Sequence, residues 1–376
     1  VSEPLQDRIG QMLVIGLSGP ELDADARDLL TSVRPGGVIL FARNLAEPVQ
    51  IAALTRSIRR LIDPPPFLAV DQEGGRVSRL TPPLPSLPPP ASLGRLEMAQ
   101  IARWFGALTG RGLRSLGFHL DYAPVVDLST PDADDGIGDR SFSPDPEQAT
   151  RRAAAFLGGL AEARVAGCLK HFPGLGGAPA DTHEMLPRME PDAAALDQAL
   201  VPYRRLKGAG SQVMVAHAYY PELSGPQPRP ASLDARVVAG LLRRDVGFEG
   251  VIVSDDLEMG AVVDRAPFGE VAVDAVRAGN DQILVCHRPE RIVTAWEALR
   301  SALAAGDLAP ADVEASLRRI EEFKSGAACG RREEPFEPED LDLVVDEMSQ
   351  LTSEVVRALH RRDDSAGSGA GKGPGA

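Results

Sequence analysis

Residues 165–187 read VAGCLKHFPGLGGAPADTHEMLP. The run VAGCLKH is apolar and β-prone, and it breaks at Phe172-Pro173-Gly174. A buried strand that ends in charged residues and opens into a long Gly/Pro loop is where α/β proteins place their chemistry. Lys170 and His171 stand at the strand end, and Asp181 and His183 sit one residue apart inside the loop. A carboxylate that close can hold an imidazole, fix its tautomer and favour its protonated form, which makes a general acid–base. A surface loop whose Asp and His cap local backbone groups would show the same pair, so the pair alone decides nothing. Glycines and alanines from Gly174 to Ala180 predict a mobile loop.

Outward from this stretch, seven more apolar runs have the same form: 11–17 (QMLVIGL), 35–41 (PGGVILF), 67–71 (FLAVD), 120–126 (LDYAPVV), 212–217 (QVMVAH), 250–255 (GVIVSD) and 281–286 (DQILVC). Helical stretches fall between them, at about 21–33, 48–62, 93–116, 145–163, 193–207, 234–244 and 270–278. Eight strand–helix units predict an α/β fold, a single (β/α)8 TIM-type barrel. A doubly wound sheet would carry a Gly-rich phosphate turn after its first strand, and Gly16 and Gly19 do not make one. Prolines between 82 and 90 exclude helix and central strand there. The catalytic domain is expected over 1–325, and a linker and C-terminal amphipathic helix over 326–362. That helix carries Leu341, Val344, Val345, Met348, Leu351, Val355 and Leu359 at helical spacing. The Gly/Ser/Ala-rich residues 363–376 are expected to be a disordered tail.

The net charge of −14 argues against nucleic acid or an anionic membrane as the main partner. No apolar run is long enough to span a bilayer. Cys168, Cys286 and Cys329 are odd in number and lack metal-ligand spacing, so they are read as buried thiols in a reducing compartment, the cytoplasm. The N-terminal VSEPLQDRIGQMLVIGL has no basic segment before a short, interrupted apolar stretch and is not read as a signal peptide. A monomer is expected.

In a barrel all strand C-termini open on one face. At or beyond those ends lie Asp71 with Arg76 and Arg79, then Arg140, Lys170, His171, Asp181, His183, His217, Asp255 and Asp256. No serine sits in a nucleophile elbow. A metal site fits poorly, because ligand spacing is loose and Lys170 and Arg140 would repel a cation. A carboxylate nucleophile, a separate proton donor and polar clamps on hydroxyl groups suit glycoside cleavage. Asp255 would attack the anomeric carbon, and His183 would protonate the leaving oxygen. Strand alternation favours Asp255 over its neighbour Asp256.

The segments DQEGGRVSRL (71–80), GDRSF (138–142), KHFPGLGG with ADTH (170–183), VMVAH (213–217), PASL (230–233) and GFEGVIVSDDLEM (247–259) together resemble glycoside hydrolase family 3. Within it they resemble the β-N-acetylglucosaminidase branch, bacterial cytoplasmic enzymes of peptidoglycan recycling. The resemblance implies a single (β/α)8 domain, retention of configuration, no cofactor and no metal, and a small carbohydrate as substrate. It also implies Asp255 as nucleophile, His183 paired with Asp181 as acid–base, and sugar contacts from Asp71, Arg79, Arg140, Lys170 and His171. Two positions depart from the pattern. Leu175 stands where the branch has His, which predicts a looser loop, and Asp121-Tyr122 replaces an Asn and a common Phe. A phosphorylase, with phosphate in place of water, is one alternative reading, since a His acid–base does not repel an anion as Glu would. A non-catalytic sugar-binding protein on the same fold is a second. A β-glucosidase or xylosidase is a third, and the Asp-x-His pair argues against it.

Overall fold

The computed structural model describes residues 3–96, 99–179, 182, 184–263, 265–326, 329 and 336–369, the last seven of these by backbone alone. Eight parallel strands close into a barrel: β1 (Leu13–Gly16), β2 (Gly37–Ile39), β3 (Phe67–Val70), β6 (Leu120–Asp121), β7 (Ala166–Phe172), β8 (Gln212–Val215), β9 (Val251–Asp256) and β10 (Gln282–Val285). Each runs beside its neighbour in sequence, and β10 closes on β1 through Leu13↔Ile283. The expected (β/α)8 barrel is therefore present. A small antiparallel hairpin, β4 (Gln72–Gly74) with β5 (Val77–Ser78), stands on the end of β3.

Period-two alternation sorts the core. In β1, Leu13 and Ile15 face the surrounding helices while Val14 faces the barrel interior; in β8, Val213 and Val215 face out and Met214 faces in. The interior packs Phe67, Ala69, Tyr122, Cys168, Met214, Val253, Leu284 and Cys286 into a filled core. Around it lie α1 (Leu5–Arg8), α2 (Ala24–Val33), α3 (Pro48–Leu61), α4 (Pro90–Arg95), α5 (Ala99–Ser115), α6 (Pro146–Glu162), α7 (Ala193–Leu206), α8 (Pro221–Ser224), a wide π-type helix (Arg236–Val246), α9 (Phe268–Ala278), α10 (Pro289–Ala305) and α11 (Pro310–Ser325). Asp23, Asp145 and Asp192 cap α2, α6 and α7 by accepting a backbone N–H three residues on. No helix among the described residues is long and apolar enough to cross a membrane.

Three expectations change. The single helix read over 93–116 is two elements: α4 ends at Arg95 and α5 begins at Ala99. Gly94 packs where a Cβ would lie 2.0 Å from the Phe142 carbonyl oxygen, so α4 lies against the loop holding Arg140. The C-terminal helix α12 runs from Pro338 to Gly369, seven residues into the stretch expected to be disordered, while 370–376 lie outside the described residues. No strong helix breaker occurs between Arg362 and Ser365, so nothing in the chain stops the helix at Arg362. Its face of Leu341, Val344, Met348, Leu351 and Val355 is buried, and Arg111 on α5 reaches Glu347 at 2.6 Å. The third change is the hairpin β4–β5, a pair of short strands that no apolar run marks in the sequence.

Candidate active site

Two β-bulges shape the open end of the barrel. Along β7–β8, Leu169 pairs with Val213 and Phe172 with Val215, so Lys170 and His171 together oppose the inward residue Met214. A bulge of this kind breaks alternation and aims two successive side chains to one side. Along β9–β10, Val253 pairs with Gln282 and Asp256 with Leu284, which leaves an extra residue in β9. Leu284 faces inward, and so does its partner Asp256. Alternation therefore does not separate Asp255 from Asp256: both line the same cavity.

That cavity, of about 710 Å³, is lined by Asp71, Arg79, Arg140, Lys170, His171 and Asp255. Thr182 also lines it, whereas Asp181 and His183 lie outside the described residues. A second cavity of about 510 Å³, bordered by Gln11, Arg34, Arg59 and Lys324, opens at the other end of the barrel, away from the strand C-termini.

One wall is a buried charge network. Glu73 accepts two hydrogen bonds from Arg140, Nε at 2.7 Å and Nη2 at 2.8 Å. Lys170 Nζ lies 2.6 Å from Glu73 and 2.8 Å from Asp71. Burial by itself would raise the Glu73 pKa, but the charges of Arg140 and Lys170 outweigh it and hold the carboxylate far below its usual range. Burial would likewise strip the proton from Lys170, and Asp71 and Glu73 reverse this, raising its pKa. Glu73 and Lys170 thus each stay ionised in a place where neither would alone. Arg79 Nε is buried and has no hydrogen-bond partner among the described residues, which leaves a donor for a bound molecule.

A second set of contacts holds the loops. Asp127 accepts the backbone N–H of His171 at 3.1 Å and that of Leu175 at 2.7 Å, and its Oδ2 is 2.7 Å from His171 Nδ1. Asp135 accepts from Ser129 Oγ and from the N–H groups of Ile137, Gly138 and Gly177. It therefore ties the loop bearing Arg140 to the loop after β7. Tyr220 donates its hydroxyl to the Gly174 carbonyl. At Gly176 a Cβ would sit 1.8 Å from the Leu128 carbonyl oxygen, so only glycine fits. Contacts from Asp127, Asp135 and Tyr220 thus reach Gly174, Leu175 and Gly177, and the Leu175 side chain is buried at the cavity edge.

Glu73, Asp127 and Asp135 were not singled out from sequence. Glu73 lies inside DQEGGR, and Asp127 directly follows the apolar run 120–126, so the strand-end rule would have found it. His217 was singled out but does not line the cavity. It is wholly buried; its Nδ1 accepts from Ser232 Oγ at 2.6 Å and its Nε2 donates to the Asp256 carbonyl at 3.0 Å. Burial lowers its pKa, so it holds the bulge as a neutral ring. Asp121 is also wholly buried, with Oδ1 accepting the Gln72 N–H at 2.9 Å and Oδ2 lacking a partner among the described residues. Burial raises its pKa well above the ordinary range, which favours the neutral acid, close in shape to an asparagine amide.

Residues 4–323 match the model of the glycosyl hydrolase family 3 N-terminal domain. A β-hexosaminidase of Alkalilimnicola ehrlichii is 38% identical over 288 residues, covering 74% of this chain and 82% of its own. Among solved structures, the family 3 β-N-acetylglucosaminidase of Paenibacillus sp. FPU-7 superposes with a TM-score of 0.86 at 34% identity, over 93% of this chain and 69% of that one. NagZ of Neisseria gonorrhoeae, solved with N-trifluoroacetyl-D-glucosamine, superposes with a TM-score of 0.76 at 29% identity, over 92% and 97%.

Proposed function

The chain belongs to glycosyl hydrolase family 3, and on that premise we propose that it is a retaining β-N-acetylglucosaminidase that removes terminal, non-reducing β-linked N-acetylglucosamine from peptidoglycan fragments. Its activity class is that of a β-hexosaminidase, a glycosidase acting on a small carbohydrate. The observation that carries the reading is Asp255: a carboxylate on a bulged strand end, in one cavity with the Lys170–Asp71–Glu73–Arg140 network.

In the first step an Asp255 oxygen forms a bond to the anomeric carbon as the glycosidic C–O bond breaks, and His183 gives its proton to the leaving oxygen. The product is a covalent glycosyl-enzyme with an oxocarbenium-like transition state before it. In the second step His183 takes a proton from water, whose oxygen attacks the same carbon and releases Asp255. Two inversions leave the configuration retained. Asp181 orients the imidazole and stabilises its charged form. Asp71, Arg79, Arg140, Lys170 and His171 hold the sugar hydroxyls, the ionised pairs having been set in place before substrate arrives. Residues 1–325 are read as the catalytic unit, supported by the end of α11 at Ser325 and the family match to residue 323. Three free, buried thiols support a reducing compartment, the cytoplasm.

The test is turnover of aryl β-N-acetylglucosaminide against aryl β-glucoside, with and without phosphate, and labelling by a mechanism-based fluoro-sugar. Preference for the first substrate, independence from phosphate and a label on Asp255 are expected. A glycosyl phosphate product would assign phosphorolysis instead, and a label on Asp256 would move the nucleophile.

A further inference from the structure

The wall opposite the charge network is built from the ends of β2, β9 and β10, and it carries a chain of hydrogen bonds that the mechanism above does not use. Arg43 Nη1 is 3.2 Å from His287 Nδ1, and His287 Nε2 is 3.2 Å from Asp256 Oδ2. A guanidinium has only donors, so Nδ1 must accept, and the ring hydrogen must then sit on Nε2 and be donated to Asp256. The other Asp256 oxygen accepts the N–H of Glu258 at 3.1 Å. The Asp256 N–H is in turn donated to Asp255 Oδ1 at 2.8 Å.

Both ends of this chain are fixed. Arg43 donates from Nε to the Leu17 carbonyl at 2.8 Å and from Nη2 to the Cys286 carbonyl, and it lies over the Phe41 ring, 4.7 Å from its centroid. His287 packs on the same ring at 5.4 Å, and its backbone N–H is held by Glu258. Glu258 is itself 3.6 Å from Arg291. Arg43, Phe41, Asp256, Glu258 and His287 all border the cavity that holds Asp255.

We propose that Arg43, His287 and Asp256 form a positioning relay that fixes the bulge of β9 and so aims Asp255 at the anomeric carbon, with His287 serving as its neutral, two-ended link. This rests on the reading of Asp255 as nucleophile. A bulge leaves one ladder residue unpaired; His217 holds the Asp256 carbonyl, and the relay adds an anchor on the Asp256 side chain, next to the nucleophile. His287 acts through Asp256, not on the sugar, so its loss lowers the rate of bond formation and leaves sugar binding in place.

The experiment uses the full chain with two variants. His287→Phe keeps a ring on Phe41 and removes both nitrogens. His287→Gln retains an acceptor for Arg43 and a donor for Asp256 in an uncharged group. His287→Phe should lower kcat and the rate of fluoro-sugar labelling of Asp255 roughly 10- to 100-fold, with KM close to wild type, and His287→Gln should recover most of both. Wild-type kcat in His287→Phe overturns the relay, as does a rise in KM alone, which would make His287 a sugar contact. Failure of His287→Gln to recover a loss seen in His287→Phe overturns the two-ended link. Asp255→Ala is run beside them: if it still turns over, the nucleophile assignment fails, whatever the His287 variants do.

Discussion

Glu73 and Arg140 meet through two parallel hydrogen bonds of 2.7 and 2.8 Å, and Lys170 approaches the same carboxylate at 2.6 Å, with the Glu73 side chain 1% exposed. One anion thus balances two cations that border the cavity. Glu73→Gln leaves Lys170 with Asp71 and takes from Arg140 its ion-pair partner, and removing one member of a buried ionic group costs about 3–5 kcal/mol. Denaturant unfolding at neutral pH should show a loss of that order. The pH dependence follows from the sign of the shift. The folded-state pKa of Glu73 lies below the unfolded value of about 4.3, so its contribution is complete above that pH and is lost as pH falls toward the folded value. The stability gap between wild type and Glu73→Gln should therefore narrow below about pH 4; a gap constant down to the acid transition would contradict the depressed pKa.

Asp127 connects three groups with one carboxylate: the His171 amide, the His171 ring and the Leu175 amide. Asp127→Asn keeps the shape but can present an N–H to His171 Nδ1, where the carboxylate offered an acceptor. The ring must then change tautomer or turn away from its place at the cavity. A mispaired buried polar contact costs about 1–3 kcal/mol, which in kcat/KM is roughly 5- to 150-fold. Steady-state kinetics on an aryl β-N-acetylglucosaminide, with circular dichroism to confirm folding, provides the check, and unchanged kcat/KM would remove His171 from the sugar contacts.

The barrel was legible because short continuous apolar runs alternate with helical stretches, and because charged residues collect where those runs stop. Asp71, Lys170, His171 and Asp255 were found by that rule alone. The bulges at Lys170-His171 and Ser254-Asp255 were not legible, since a bulge is a mismatch of register between two strands and appears in neither strand by itself. Reliance on alternation to choose Asp255 over Asp256 failed for this reason. Glu73 stood in a quoted motif, yet its role depends on Arg140, 67 residues away. The Arg43–His287 contact joins residues 244 apart, and no spacing in the chain signals it. The close approach of Gly94 in α4 to the Phe142 carbonyl is again a tertiary contact that no local pattern announces.

Asp121 yields a prediction of opposite sign to Glu73. Burial raises its folded-state pKa, so the folded protein binds a proton that the unfolded chain gives up in the ordinary carboxylate range. Stability from this group is full below the unfolded pKa of about 3.9 and declines as pH rises through the folded value. Asp121→Asn cannot ionise, retains an oxygen for the Gln72 amide and supplies donors near Asp71 and Glu73, the carboxylates that add to the shift. Melting temperature should rise relative to wild type at pH 7–8, with the difference shrinking toward pH 4. A lower melting temperature for the variant across that range would mean that the ionised carboxylate is stabilised in the fold.

The Asp181–His183 pair is proposed as one proton-handling unit, and it separates into two measurable halves. The imidazole is acid in the first step and base in the second, so it must lose and regain one proton per cycle. His183→Ala removes both duties, but substrates feel them unequally. A nitrophenolate leaves without much protonation, so glycosylation of the enzyme should persist on an aryl substrate and collapse on a natural disaccharide. Deglycosylation still lacks its base, so the covalent intermediate on Asp255 should accumulate and appear by mass spectrometry. Azide attacks without deprotonation, and it should restore turnover of the aryl substrate and yield a β-glycosyl azide. Asp181→Asn keeps the imidazole but weakens the preference for its charged form, so the same pattern should appear in milder degree. General acid–base loss of this kind is worth roughly 10²- to 10⁴-fold in rate. Equal losses on activated and natural substrates, with no trapped intermediate and no azide rescue, would make His183 a sugar ligand and assign the proton to another group.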